Sequence, residues 1–142
     1  MIKLYYATSS SSCRKAKAWL IENHLSFEAV NLNTTKLTRE ELLHILSLTE
    51  AGTDDVISKK SKAYQALDID FDNLSLNEII ALIDKNHSLI RRPLVVDEKR
   101  LQVGFNDDDM RKFVPRQVRT AQKNFFNHQL YEIYKTKQQE NQ

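Results

Sequence analysis

The apolar positions of this chain change their period from segment to segment, and the changes mark out its elements. Residues 2–6, IKLYY, read as a strand. From Cys13 to about His24, Ala16, Leu20 and Ile21 fall at helical spacing, and SFEAVNL (26–32) reads as a second strand. Strand, helix, strand predicts a parallel βαβ unit with a right-handed crossover. In TREELLHILSLT, Thr38 followed three residues later by Glu41 is a capping box, and Leu42, Ile45 and Leu46 form the buried stripe. Gly52 breaks that pattern and is expected to end the helix as a left-handed C-cap. Thr53 and Asp54 open another short helix, and residues 59–67 predict a further turn or two. SLNEIIALIDK repeats the capping device with Ser75 and Glu78, over a stripe of Ile79, Leu82 and Ile83.

The segment RRPLVVDEKRLQVGF carries the clearest β signal. Leu94, Val95 and Val96 make one strand, DEKR a tight turn, and Leu101 and Val103 the return strand. Pro93 stands at the strand start, where a missing N–H need not disturb the ladder. Asn106 then caps a helix whose first turn holds Asp107, Asp108 and Asp109, acids suited to the positive end of the helix dipole. Phe126, Leu130 and Ile133 give the last 25 or so residues an amphipathic pattern that decays into the polar tail KTKQQENQ. The order predicts an α/β, thioredoxin-like mixed sheet, βαβ then ββα, with a helical insertion at about 38–88. It forms a single domain over 1–119, followed by a helical extension and tail over 120–142.

Composition narrows the class. The 142 residues suffice for one domain with a core. No run approaches the roughly 18 apolar residues that span a bilayer. The start MIKLYYATSS lacks signal-peptide architecture, so a cytoplasmic location away from membranes is expected. One cysteine excludes an internal disulfide, and His24, His44, His87 and His128 have no metal-ligand spacing, so neither metal nor cofactor is expected. The net charge of +2 is small, but from Met110 to Lys123 five basic residues (Arg111, Lys112, Arg116, Arg119, Lys123) stand with no acid. That stretch is either a solvated helix face or a patch for an acidic partner or DNA backbone.

A strand, a small-residue turn SSSSCRK and a helix with a cysteine at its start have the layout of a thioredoxin-like thiol site. Disulfide exchange needs an exposed thiolate and a second thiol to resolve the mixed disulfide. In such sites the first position is exposed and the second, one turn in, is shielded. Here Ser10 holds the first and Cys13 the second. Arg14, Lys15 and the helix start would favour a reactive Cys13 thiolate; an apolar helix face would make it a small core residue.

The segments SCRKAKAWL (12–20), LTEAGTDDVIS (48–58), SKAYQALDI (61–69) and LIRRPLVVDEKRLQVGFNDDDMRKFVPRQVR (89–119) resemble the Spx-type transcriptional regulators, relatives of the arsenate reductases within the thioredoxin-like proteins. The resemblance implies no catalytic turnover. It implies binding to the C-terminal domain of the RNA polymerase α subunit and redirected promoter use in stress, by a chain expected to be monomeric. The contact with polymerase would fall on Ser47, Leu48, Thr49, Glu50, Gly52 and Thr53, with Ser47 where an arginine is common. A side chain at Gly52 would clash with the partner, so Gly52→Arg is expected to keep the fold and abolish binding. Lys59, Lys60 and Lys62 would touch promoter DNA phosphates weakly, once polymerase has delivered the protein, or form a solvated face.

The family's Cys-x-x-Cys switch would lie at Ser10 and Cys13, so its first half is missing. An adaptor and an AAA+ protease would read an apolar C-terminus, which QQENQ is not. Pro93 is expected to be cis and to face the thiol loop. Arg92 would stabilise the loop near residue 10 and link it to the polymerase-facing surface, or be purely structural. The enzyme alternative, an arsenate-reductase-like or monothiol oxidoreductase, would use Arg91 or Arg92 to hold an oxyanion. By the resemblance Ser10 stands in the nucleophile's place, and its hydroxyl is hardly ionised near neutrality, so arsenate reduction lacks its first step; turnover dependent on Cys13 would favour the enzyme.

Overall fold

The computed structural model describes residues 1–8, 10–116, 118–119 and 128–129. The chain forms two compact units, Met1–Met110 and Arg111–Gln142. In the first unit, β1 (Ile2–Tyr6), α1 (Ser11–Glu22) and β2 (Phe27–Asn31) form the expected βαβ unit, with β1 and β2 parallel in the register Leu4↔Ala29. The hairpin of β3 (Leu94–Val96) and β4 (Leu101–Val103) joins antiparallel to β1, giving the sheet order β2-β1-β3-β4. Between β2 and β3 come α2 (Arg39–Ser47), α3 (Thr53–Val56), α4 (Lys62–Leu67) and α5 (Leu76–Lys85). After the hairpin, α6 (Asp107–Met110) begins where Asn106 Oδ1 accepts the Asp109 amide at 3.1 Å. The fold is therefore α/β and thioredoxin-like with a helical insertion. In the second unit Arg111–Phe113 form a 3-10 turn. The pattern read through Lys123, Phe126, Leu130 and Ile133, and the tail, lie outside the described residues.

Both capping boxes are formed. Thr38 Oγ1 accepts the Glu41 amide while Glu41 Oε1 accepts the Thr38 amide, each at 3.1 Å, and Ser75 and Glu78 do the same at 3.2 Å. Two otherwise unpaired amides are satisfied at each helix start. Glu41 also ties α2 to the sheet: its Oε2 accepts the hydroxyl of buried Tyr5 and lies 3.6 Å from Lys3 Nζ.

One core cluster joins Tyr5, Leu94 and Val96 to Leu42 and Ile45 of α2 and Ile79 and Ile83 of α5. Leu46 and Leu82 are half-buried against it. Leu4 and Val95, paired in register, point to the opposite sheet face, because strand side chains alternate. The buried face of α1 is Cys13, Ala16, Trp19 and Leu20. Ile21, expected in that stripe, is 56% exposed. At 100° per residue it sits roughly 130° from the centre of the buried face, and Trp19 takes the place assigned to it.

Candidate functional site

After β1 the Ser10 amide donates to the Ala7 carbonyl at 3.4 Å, and α1 starts at Ser11. Ser10 adopts an extended backbone, and its Oγ accepts the Cys13 amide at 3.3 Å, so the first motif serine is the helix N-cap. Cys13 lies one turn in, 2% exposed, and its sulfur accepts the Ala7 amide at 3.4 Å. The thiol therefore points into the core, while Arg14 and Lys15 beside it in sequence are exposed. Of the two readings of Cys13, this geometry is that of a small core residue.

The Arg92–Pro93 peptide is cis and Pro93 is buried. Half-buried Arg92 donates to Asn33 Oδ1 and to the His87 carbonyl, both at 3.0 Å. These two hydrogen bonds anchor the loop after β2 to the turn before β3, and neither goes to residue 10. Burial pulls the guanidinium below the usual arginine range, and the neighbouring Cys13 sulfur acts in the opposite direction.

The other group of predicted residues gathers around the end of α2. Ser47 is its exposed last residue, with Oγ donating to the His44 carbonyl at 2.6 Å, and Leu48 is the C-cap. Thr49 Oγ1 donates to the Leu46 carbonyl at 2.6 Å. The chain passes through exposed Glu50 and Ala51 to Gly52, which starts α3; half-buried Thr53 is its first residue. Gly52 is thus an N-cap, not the C-cap expected from the break in the α2 pattern. The reason is that α2 closes at Leu48, four residues before Gly52: the Leu48 amide donates to the Ile45 carbonyl at 3.1 Å and the Thr49 amide to the Leu46 carbonyl at 3.2 Å.

Gly52 has φ 68° and ψ −132°, a conformation that side-chain-bearing residues rarely adopt. A Cβ there would meet nothing within 4 Å, so the glycine is required by the backbone and not by crowding inside this chain. Gly52→Arg, expected to keep the fold, would therefore carry local backbone strain without crowding inside this chain.

Two residues not singled out as contacts by sequence shape this loop. Asp55 Oδ2 accepts the amides of Glu50 and Ala51, each at 3.0 Å. Arg91, grouped by sequence with an oxyanion site, instead donates from Nη1 to the Asp55 carbonyl at 3.4 Å, and its amide bonds to the Val56 carbonyl at 2.8 Å. The next residue pair, Ile57 and Ile90, forms a β-bridge. A shallow cavity of about 280 Å³ results, with Leu48, Thr49, Glu50 and Asp55 on one side and Arg91, Leu101 and Val103 on the other. The pairing of Arg91 with the loop had no local signal, since 36 residues separate it from Asp55.

The lysine group is partly engaged. Lys59 Nζ lies 3.4 Å from Asp54 Oδ1, with both side chains more than half exposed, while Lys60 and Lys62 are exposed on either side of Ser61. Such a pair contributes little, about 0–1 kcal/mol. Among the described residues no cluster of His, Cys, Asp or Glu could hold a metal ion. No described helix is long and apolar enough to cross a membrane.

The ArsC family model matches residues 5–113. The global transcriptional regulator Spx of Streptococcus mutans is 53% identical over 119 residues, 84% of this chain and 87% of that protein. The protein of the same name from Lactiplantibacillus plantarum is 51% identical over 122 residues, covering 86% and 92%. Among solved structures, an ArsC-family-related protein from Bacteroides fragilis superposes with a TM-score of 0.69 at 29% identity, over 78% of this chain and 95% of that one. A protein described as a possible arsenate reductase from Streptococcus mutans gives 0.67 at 26%, over 75% and 92%. With a family model spanning most of its length and about half of the aligned residues shared with regulators of one name, the chain belongs to the ArsC family, in the branch of the global transcriptional regulators called Spx.

Proposed function

We propose that this chain is a non-catalytic transcriptional regulator that binds the C-terminal domain of the RNA polymerase α subunit and alters promoter use under stress, without an internal disulfide switch. The contact is made by Ser47, Leu48, Thr49, Glu50, Gly52 and Thr53. Promoter DNA is touched only within that complex, through Lys60 and Lys62, with Lys59 released from Asp54. The membership in the Spx branch supports a role in transcription. The observation that carries the rest is the contrast between a core-facing Cys13 and the loop before α3, whose exposed Glu50 and Ala51 have their amides fixed by Asp55. Ser10 is occupied as a helix cap, and a cap hydroxyl supplies no thiolate to start disulfide exchange or arsenate reduction.

The test is a binding titration of the full chain against the isolated C-terminal domain of the polymerase α subunit, with and without oxidant. Saturable binding of equal affinity in both conditions is expected, as is the absence of arsenate or disulfide reduction. No binding, together with turnover that disappears in Cys13→Ala, would overturn the reading in favour of a monothiol enzyme.

A further inference from the structure

The loop at 49–52 is long enough to wander, yet its backbone is fixed from one side only. Gly52 has no side chain with which to cap α3, and no side-chain cap bond exists at that helix start. Asp55, the third residue of α3, takes over. In a capping box the third residue reaches back to the amide of the cap itself. Here the carboxylate skips Gly52 and gathers the two amides before it, Glu50 and Ala51, on a single oxygen. The Asp55 carbonyl is held in turn by Arg91, and the Gly52 carbonyl accepts the Asp55 amide at 3.2 Å. A closed ring of bonds therefore runs from residue 50 to 55 and back, with both peptide groups beside exposed Glu50 and Ala51 locked in direction.

We propose that Asp55 is a positioning residue for the partner contact. Its Oδ2 holds the backbone of Glu50 and Ala51 in the shape the polymerase domain meets, although Asp55 itself need not touch that domain. This inference rests on the proposed function above. The physical reason is preorganisation: a loop already ordered in the free protein loses less conformational entropy on binding, so the same contacts yield a tighter complex. One acceptor oxygen serves both amides, so the neutral isostere retains the geometry while a truncated side chain loses it.

The experiment compares the full chain with Asp55→Asn and Asp55→Ala, by amide hydrogen exchange at Glu50 and Ala51 and by titration with the isolated polymerase domain. In Asp55→Ala both amides are expected to exchange about tenfold faster, and affinity to fall by about tenfold, the effect of one hydrogen-bond-sized loss. Asp55→Asn should keep exchange and affinity near wild type, a rescue that bulk destabilisation would not give. Should Asp55→Ala fail to fold, Asp55→Ser, whose oxygen is too short to reach either amide, replaces it with the same expectations. Unchanged exchange at residues 50 and 51 overturns the clamp. Freed amides with unchanged affinity overturn its role in binding. A wild-type chain that ignores the domain overturns the functional reading and with it the role in binding, and the exchange rates still decide whether Asp55 shapes the loop.

Discussion

Two turns in the first unit lead into a helix, and they are closed from opposite directions. At residue 10 the cap side chain reaches forward, Ser10 Oγ to the Cys13 amide. At residue 52 the cap has no side chain, and Asp55 reaches backward to Glu50 and Ala51. The forward cap draws the first turn of α1 tight and leaves Cys13 pressed into the core at 2% exposure. The backward clamp leaves Glu50 and Ala51 at the surface while fixing their peptides. The same motif type, a helix start after a turn, thus yields a closed sulfur in one place and a rigid exposed edge in the other. Rigid exposed loops on a packed scaffold are where binding residues concentrate, which is the reason the proposed polymerase contact falls at the second turn.

The comparison breaks most severely if the first turn can be opened. Cys13→Lys places an ammonium at a position only 2% exposed and beside the Arg92 guanidinium, and a loss on the order of 4 kcal/mol or more is expected, read as a collapse of the urea midpoint. A midpoint close to wild type would mean that the sulfur position is open to water. Next in size is Gly52→Ala. With open space around the site, the cost is the backbone alone, about 1–3 kcal/mol in thermal or urea unfolding. Partner affinity is expected to fall as well, whereas a variant as stable and as tight-binding as wild type would show that the loop tolerates another conformation.

The smallest effect sharpens the contrast through pH. Burial would raise the Glu41 pKa, but the Tyr5 hydroxyl, the Thr38 amide and hydroxyl, and Lys3 together hold it below the ordinary value. A depressed carboxylate contributes stability that is present above its unfolded pKa of about 4.5 and is lost as pH falls through the folded value. Melting temperatures of Glu41→Gln should therefore fall less steeply than wild type below about pH 4.5, with amide exchange at residues 50 and 51 unchanged at neutral pH. Parallel curves for the two proteins would remove Glu41 from the acid sensitivity of the fold.

Much of this architecture follows from neighbours in sequence. Thr38 with Glu41 and Ser75 with Glu78 place two helix starts because a capping box closes within four residues. DEKR between two β-branched or apolar runs places the hairpin for the same reason. What only the tertiary structure decided are contacts between distant residues. Packing against the sheet chose Trp19 over Ile21 and turned Cys13 inward. The approach to β3 carried Arg91 to Asp55 and Arg92 to Asn33, 36 and 59 residues away in the chain. Gly52 shows both levels at once: its composition signals a special backbone angle, but which helix it serves depended on where α2 ran out of carbonyls to share. Local hydrogen bonds can be read from spacing; long-range ones exist only after the core has brought their partners within reach.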